Sequence, residues 1–211
     1  MTKLILVRHG QSIWNKELRY QGQTDVALTS LGNEQAMLLA RRLAGQEITA
    51  VYASDLSRAF LTAQAIARVH NLPVMPVTDL RELNFGLWEG LTHEEISAKW
   101  PELMRKWYTH PDEVDLPGGE NFRQLKDRAM RAINELVAKH RDETFVVVSH
   151  GGTIRTILCG ILNIHLNYVW SIQQDNTAVN IIHFYGDRPV VTLVNDTHHL
   201  VVKYPISGQF T

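Results

Sequence analysis

The 211-residue sequence contains one cysteine, Cys159, so no intrachain disulfide can form, and such sparing use of cysteine suits a reducing compartment. Flanked by apolar residues, Cys159 reads as a small buried hydrophobe. Charge of one sign is also lacking: 21 Lys and Arg face 22 Asp and Glu, a formal net charge of -1. No global field then favours nucleic acid or a membrane surface, and any anion must be bound locally. Long apolar runs are absent too. Only four apolar residues separate Lys3 from Arg8, against roughly 7–15 in the core of a secretory signal and about 18 in a membrane span. Repeats, linkers and low-complexity tracts are missing as well. These absences lead us to expect one cytoplasmic domain over residues 1–211, with neither nucleic acid nor membrane as a partner.

What is present is an alternation of strand-type and helix-type segments. Residues 4–7 form a short apolar run, and residues 29–44 carry Leu31, Ala36, Leu39, Ala40 and Leu43 at helical spacing, with Thr29 or Ser30 as cap and Gly45 as stop. Residues 48–53 read as the next strand. Ser54 and Asp55 offer side-chain acceptors for a helix whose stripe, Leu56, Phe60, Ala63, Ile66 and Ala67, runs toward Asn71 and places Arg58 in the first turn. Two prolines make residues 73–77 an edge strand. Residues 78–119 are broken by glycines and prolines into short pieces, as expected of an insertion covering a site, with a capping box at Thr92 to Glu95. A long amphipathic helix over 121–140, a buried strand over 145–148, a helix over 153–162 and a hairpin of 178–185 with 189–194 complete the chain. The order predicts an α/β protein, a three-layer α/β/α sandwich with a mostly parallel central sheet and a C-terminal hairpin. The outer edge of that hairpin leaves two outcomes, pairing with a second copy in a homodimer or cover within the chain.

Two of the strands end in His-Gly: Arg8-His9-Gly10 follows the first, and Ser149-His150-Gly151 follows the strand over 145–148. Open α/β sheets place their ligand crevices at strand ends. Two imidazoles there point to one nucleophile and one donor or proton carrier. Arg58 at a helix start and Glu82 after the edge strand converge on the same end if the fold gathers strand ends. Each alone has a bland reading as a satisfied histidine or a solvated charge, and the joint arrangement carries the weight.

The stretch from Leu6 through Arg8-His9-Gly10-Gln11-Ser12, with Asn15, Gln21-Gly22, Leu28-Thr29 and Gly32, resembles the signature of the histidine phosphatase superfamily, the phosphoglycerate mutase-like proteins. Ser54 to Ala59, Thr62-Ala63, Arg81-Glu82-Leu83 with Phe85-Gly86 and Trp88-Glu89-Gly90, and Val148 to Gly151 are similar to its later blocks in the same order, over about residues 3 to 200. The resemblance implies that His9 is the nucleophile that becomes a phosphohistidine, that Arg8, Arg58 and His150 clamp the phosphoryl oxygens, and that Glu82 protonates the leaving alkoxide and then activates water. Asn15 and Gln21, with Ser12, Gly22 and Gly151 beside them, are expected around the substrate. No cofactor or metal is called for: the ten histidines form no ligand array, and His198-His199 reads as tail packing or a solvated pair.

Within the family, mutases carry a longer insertion after the acid, with an arginine pair that grips a sugar acid. Here residues 83–119 are short and lack an adjacent Arg-Arg pair, Arg105-Lys106 being the closest cationic pair, which favours a phosphatase acting on a small phosphomonoester. Phe85, Trp88, Trp100, Trp107 and Tyr108 in that segment either wall a pocket or build a small lid core. The Phe85-Gly86-x-Trp88-Glu89-Gly90 run and Pro117 to Glu120 resemble the subgroup of broad-specificity and α-ribazole phosphatases, making α-ribazole 5'-phosphate one candidate substrate. A phosphoglycerate mutase and a non-catalytic phospho-ligand-binding protein are the alternatives; a silent member is expected to lose His9 or Glu82, and both are present.

Overall fold

Leu4, Ile5, Leu6 and Val7 have no side-chain exposure, because the strand carrying them lies inside a sheet covered on both faces. The computed structural model describes residues 1–201. Strand β1, Thr2–Arg8, is followed by the single turn α1, Ile13–Lys16, and by α2, Ser30–Leu43, which Thr29 caps through the Gly32 amide. Next come β2, Ala50–Ala53, α3, Ser57–Val69, and β3, Val74–Pro76. Helices α4, His93–Lys99, and α5, Pro101–Thr109, precede the long α6, Phe122–Lys139. The chain then forms β4, Thr144–Ser149, α7, Gly151–Leu162, and the hairpin of β5, Val179–Tyr185, with β6, Arg188–Asp196.

Among the described residues six strands lie in the order β3-β2-β4-β1-β5-β6. The pairings of β3, β2, β4 and β1 are parallel, and β5 joins antiparallel to β1 and then to β6. Side chains alternate between two cores, as the two-residue period of a strand requires. Leu4, Leu6, Phe145 and Val147 pack on Ile133 and Leu136 of α6 and Ile154 and Ile157 of α7. Ile5, Val7, Val146 and Val148 face Leu39 and Leu43 of α2 and Ala63 and Ile66 of α3. The mixed three-layer α/β architecture agrees with the sequence expectation. Among the described residues no helix is long and apolar enough to cross a membrane.

Two helix starts differ from expectation. Helix α3 begins after Leu56 with no side-chain cap, because the Asp55 carboxylate is drawn instead to Arg81, which donates to it at 2.7 and 2.6 Å. Helix α7 begins at Gly151 rather than at 153, because the amides of its first turn have a carboxylate to bind.

Residues 78–119 fold around a third core in which Trp88, Trp107 and Ile96 join Phe122, Leu125, Cys159 and Val169. Trp88 is fully buried and Trp107 nearly so, so both build this core, whereas Tyr108 is exposed. Phe85 and Trp100 are intermediate in burial, and Phe85 packs edge-on to Tyr20 and Trp107. Burial raises the thiol of Cys159 to about 11, the behaviour of an inert hydrophobe.

Candidate active site

Because β2, β4 and β1 run parallel, their C-terminal ends fall on one side of the sheet. Arg8 pairs with Ser149 and Ala53 with Val148. The next residue of each strand continues the pattern: the His9 amide donates to the Ser149 carbonyl at 3.0 Å, and the Ser54 amide to the Val148 carbonyl at 3.0 Å. His9, His150 and Ser54 are thereby set side by side, and the two imidazoles meet edge to face with ring centroids 5.1 Å apart.

The ring of His9 is 2 % exposed, and its Nδ1 lies 2.7 Å from the Gly10 carbonyl oxygen. A carbonyl only accepts, so Nδ1 carries the hydrogen and Nε2 keeps its lone pair. Burial, together with the guanidinium groups of Arg58 and Arg8, holds His9 well below the ordinary histidine value of 6.5. The imidazole is neutral at pH 7, the form that can attack phosphorus. On the other side of the strand end, the Thr177 amide and the Asn176 side chain both donate to the His9 carbonyl, at 3.2 and 3.1 Å.

His150 differs from expectation. Its Nδ1 accepts from Nε of Arg58 at 3.2 Å and its Nε2 donates to Oγ of Ser54 at 2.8 Å. Both nitrogens are used within the protein, so the ring orients Arg58 rather than offering a free N–H of its own. Arg58 is fully buried; its Nη1 donates to Thr24 O at 2.9 Å and its Nη2 to Gly22 O at 2.6 Å. Three of its five N–H groups are thus spent on fixing the guanidinium, and two remain. Arg8 donates through Nη1 to the Gln174 carbonyl, while its buried Nε has no protein partner among the described residues. Such an unpaired donor costs about 1–3 kcal/mol, which an oxyanion oxygen would offset. Burial lowers both arginines to about 10, helped at Arg8 by repulsion from Arg155, and both remain cations at neutral pH.

Glu82 is held by the start of α7. Its Oε1 accepts from the amides of Leu83 at 2.9 Å and Thr153 at 3.0 Å and from the Thr153 hydroxyl at 3.1 Å, while Oε2 accepts from the Gly152 amide at 3.0 Å. A helix N-terminus suits a carboxylate. The approach requires glycine: a Cβ on Gly152 would lie 2.6 Å from Oε1. From behind, Arg128 donates to the carbonyls of Asp79, Arg81 and Glu82 and pairs with Glu120, which fixes the segment bearing the carboxylate.

The expected substrate neighbours fall around this centre with differing parts. Ser12 caps α1, accepting from the Asn15 amide and donating to Oε1 of Gln21 at 2.6 Å. Oδ1 of Asn15 accepts from the Ser12 amide and from Asn176. The carboxamide oxygens of Asn15 and Gln21 are therefore occupied, and their NH2 ends are left to donate. Gly22 differs: it gives its carbonyl to Arg58 and, at φ +55°, lets Glu89 close in where a Cβ would stand 2.0 Å from its carboxylate. Glu89 in turn accepts from the amides of Gln23, Thr24 and Phe85. Gly151 is buried at the head of α7 beside Arg8.

His199 is tied to Arg42 and Thr177 rather than to His198. Among the described residues no group of three His, Cys, Asp or Glu could hold a metal ion. Sequence patterns passed over Ser54 as a partner of His150, Arg128, Asn176 and Arg155. Ser54 and Arg155 stand inside quoted motifs or next to them, whereas Arg128 occupies a polar helix position that reads as solvated.

Comparison with known proteins shows the family of the chain. Residues 4–197 match the family model of the histidine phosphatase superfamily, branch 1. The chain is 38% identical over 200 residues to phosphoserine phosphatase 1 of Hydrogenobacter thermophilus, covering 95% of each chain. It is 36% identical over 203 residues to a metal-independent phosphoserine phosphatase of Arabidopsis thaliana, covering 95% of this chain and 84% of that one. Among solved structures, a phosphoserine phosphatase variant from Entamoeba histolytica in complex with phosphoserine superimposes with a TM-score of 0.87 at 32% identity, over 95% of this chain and 100% of the other. A protein described as an α-ribazole-5'-P phosphatase from Escherichia coli matches with a TM-score of 0.85 at 27% identity, over 92% and 96%.

Proposed function

Because the chain belongs to the histidine phosphatase superfamily, we propose that it hydrolyses small phosphomonoesters through a phosphohistidine on His9, with no metal in the cycle. The observation that carries this is the Nδ1–H bond of His9 to the Gly10 carbonyl, which leaves the lone pair on Nε2, while burial and the guanidinium groups of Arg58 and Arg8 keep the ring neutral.

In the first half-reaction Nε2 of His9 attacks phosphorus, the P–O bond to the leaving group breaks, and a proton on Glu82 passes to the departing alkoxide. Arg8 and Arg58 hold the equatorial oxygens, where charge is concentrated. His150 is a positioning residue that aims Arg58. In the second half-reaction Glu82, now a carboxylate, takes a proton from water as that water attacks the phosphohistidine; the P–N bond breaks, and phosphate and neutral His9 are regenerated. The NH2 ends of Asn15 and Gln21 are further donors to the bound phosphate. Residues 78–119 deliver Glu82 and roof the centre.

Phosphoserine is the first substrate to examine, because the relatives at 38% and 36% identity carry that activity in their names. The α-ribazole ester is the second, supported by a structural neighbour at 27% identity. The test is hydrolysis of p-nitrophenyl phosphate with chelator present. Activity that vanishes in His9→Ala, with an acid-labile phosphoenzyme trapped only in the native protein, is the expected result. Absence of any His9-dependent hydrolysis would leave a phospho-ligand-binding protein as the better description. Efficient isomerisation of 3-phosphoglycerate with a bisphosphoglycerate primer would identify a mutase.

A further inference from the structure

Arg155 stands one turn into α7, partly buried, and no step above uses it. Its Nε donates to the Ile172 carbonyl at 2.7 Å, and its guanidinium lies 5.5 Å from the centre of the Trp170 ring, so the head group is fixed on one edge and one face. The four N–H groups of Nη1 and Nη2 donate to nothing among the described residues. The head points to the same spot as Arg8: a Cβ on Gly151 would lie 3.1 Å from Nη1 of Arg155 and 3.4 Å from Nε of Arg8.

Among the described residues Arg8, Arg58 and Arg155 form no ion pair. Elsewhere the protein pairs its partly buried arginines directly, Arg42 with Asp196, Arg81 with Asp55 and Arg128 with Glu120. Asp175 is close enough to act on Arg8 and Arg155, but its oxygens are bound by the side-chain amides of Gln173 and Asn195. Three cations therefore face one cleft.

We propose that Arg155 is the specificity residue of this site and binds a carboxylate carried on the leaving group a few bonds from the ester oxygen. A planar guanidinium with both Nη groups free of partners among the described residues matches a carboxylate in a two-pronged hydrogen bond. Its place beside Arg8 puts that carboxylate next to the phosphate. The substrates selected are phosphorylated hydroxy and amino acids. This rests on the phosphatase activity proposed above and names its substrate class.

The experiment compares kcat/KM for O-phosphoserine and O-phosphoethanolamine, which share ester and amine and differ in the carboxylate. The native enzyme should favour phosphoserine by about 10- to 100-fold, the range expected for a charge-assisted pair. In Arg155→Met that ratio should fall toward one, chiefly through KM for phosphoserine, and Arg155→Lys should restore part of it. A native ratio near one overturns the proposal without any variant, and so does an unchanged ratio in Arg155→Met. If the native enzyme hydrolyses neither of these esters nor p-nitrophenyl phosphate, the phosphatase assignment itself has failed.

Discussion

Nδ1 of His150 accepts the Nε–H of Arg58 across 3.2 Å, and both residues are fully buried. The bond fixes the tautomer of the ring, since a guanidinium only donates, and Nε2–H must then point at Ser54. Ser54, His150 and Arg58 form one relay from the end of β2, past the end of β4, to the guanidinium beside His9. An orienting histidine and a charge-bearing arginine thus act as a unit.

That relay is open to test at its far end. Ser54→Ala leaves the His150 Nε2–H without an acceptor, and we expect a loss of about 1–3 kcal/mol in urea-unfolding stability. The kinetic effect should fall on kcat, by less than the roughly 10²–10³ expected for Arg58→Met, which removes the clamp itself. Full activity in Ser54→Ala would show that the anchoring of His150 by Ser54 does not matter to the reaction.

Glu82→Gln should lower kcat by about 10²–10⁴ for an alkyl ester such as phosphoserine. For p-nitrophenyl phosphate the loss should be smaller in the first half-reaction, because that leaving group departs without a proton. Burst kinetics separate the two halves. Equal losses of phosphoenzyme formation with both esters would remove Glu82 from the acid role.

Gly152→Ala should act on the same carboxylate without altering it. The added methyl would meet Oε1 of Glu82 at 2.6 Å, whereas a methyl at Gly45 has nothing within 4 Å. Glu82 must move, so kcat should drop at least tenfold in Gly152→Ala and stay at the native level in Gly45→Ala. Native kcat in Gly152→Ala would mean that the anchoring of Glu82 by the α7 amides is dispensable.

Stability should depend on pH through the two site imidazoles. Both are pushed well below 6.5, first by burial and then by the neighbouring arginines. The unfolded chain takes up protons near 6.5 while the folded protein does not. Their contribution is therefore complete above pH 6.5 and is lost as pH falls from there toward the folded values, by up to about 1.4 kcal/mol per pH unit for each histidine. Urea midpoints measured between pH 7.5 and 5 should fall with acidification, with a shallower slope in His9→Asn. Midpoints independent of pH over that interval would contradict the neutral, buried state of both rings.

The local patterns of this chain were legible because short-range chemistry writes them. Continuous apolar runs placed β1 and β4, the period of 3.6 placed α2, with Thr29 as its cap, and α6, and the paired His-Gly ends marked where the cleft opens. Asp55 misled as a helix cap because its partner, Arg81, lies 26 residues away. The same distance problem hid the use of His150, whose partners lie 92 and 96 residues off, and the placing of Arg155 beside Arg8. By itself the sequence determined the strands, the helices, and the choice of His9 and Glu82 as the residues proposed for nucleophile and acid. Only the tertiary structure decided which imidazole nitrogen holds a lone pair, which arginines are left without a carboxylate, and which glycine admits Glu82. Those properties depend on which strand ends become neighbours in the order β2-β4-β1, and no nearest-neighbour preference along the chain carries that information.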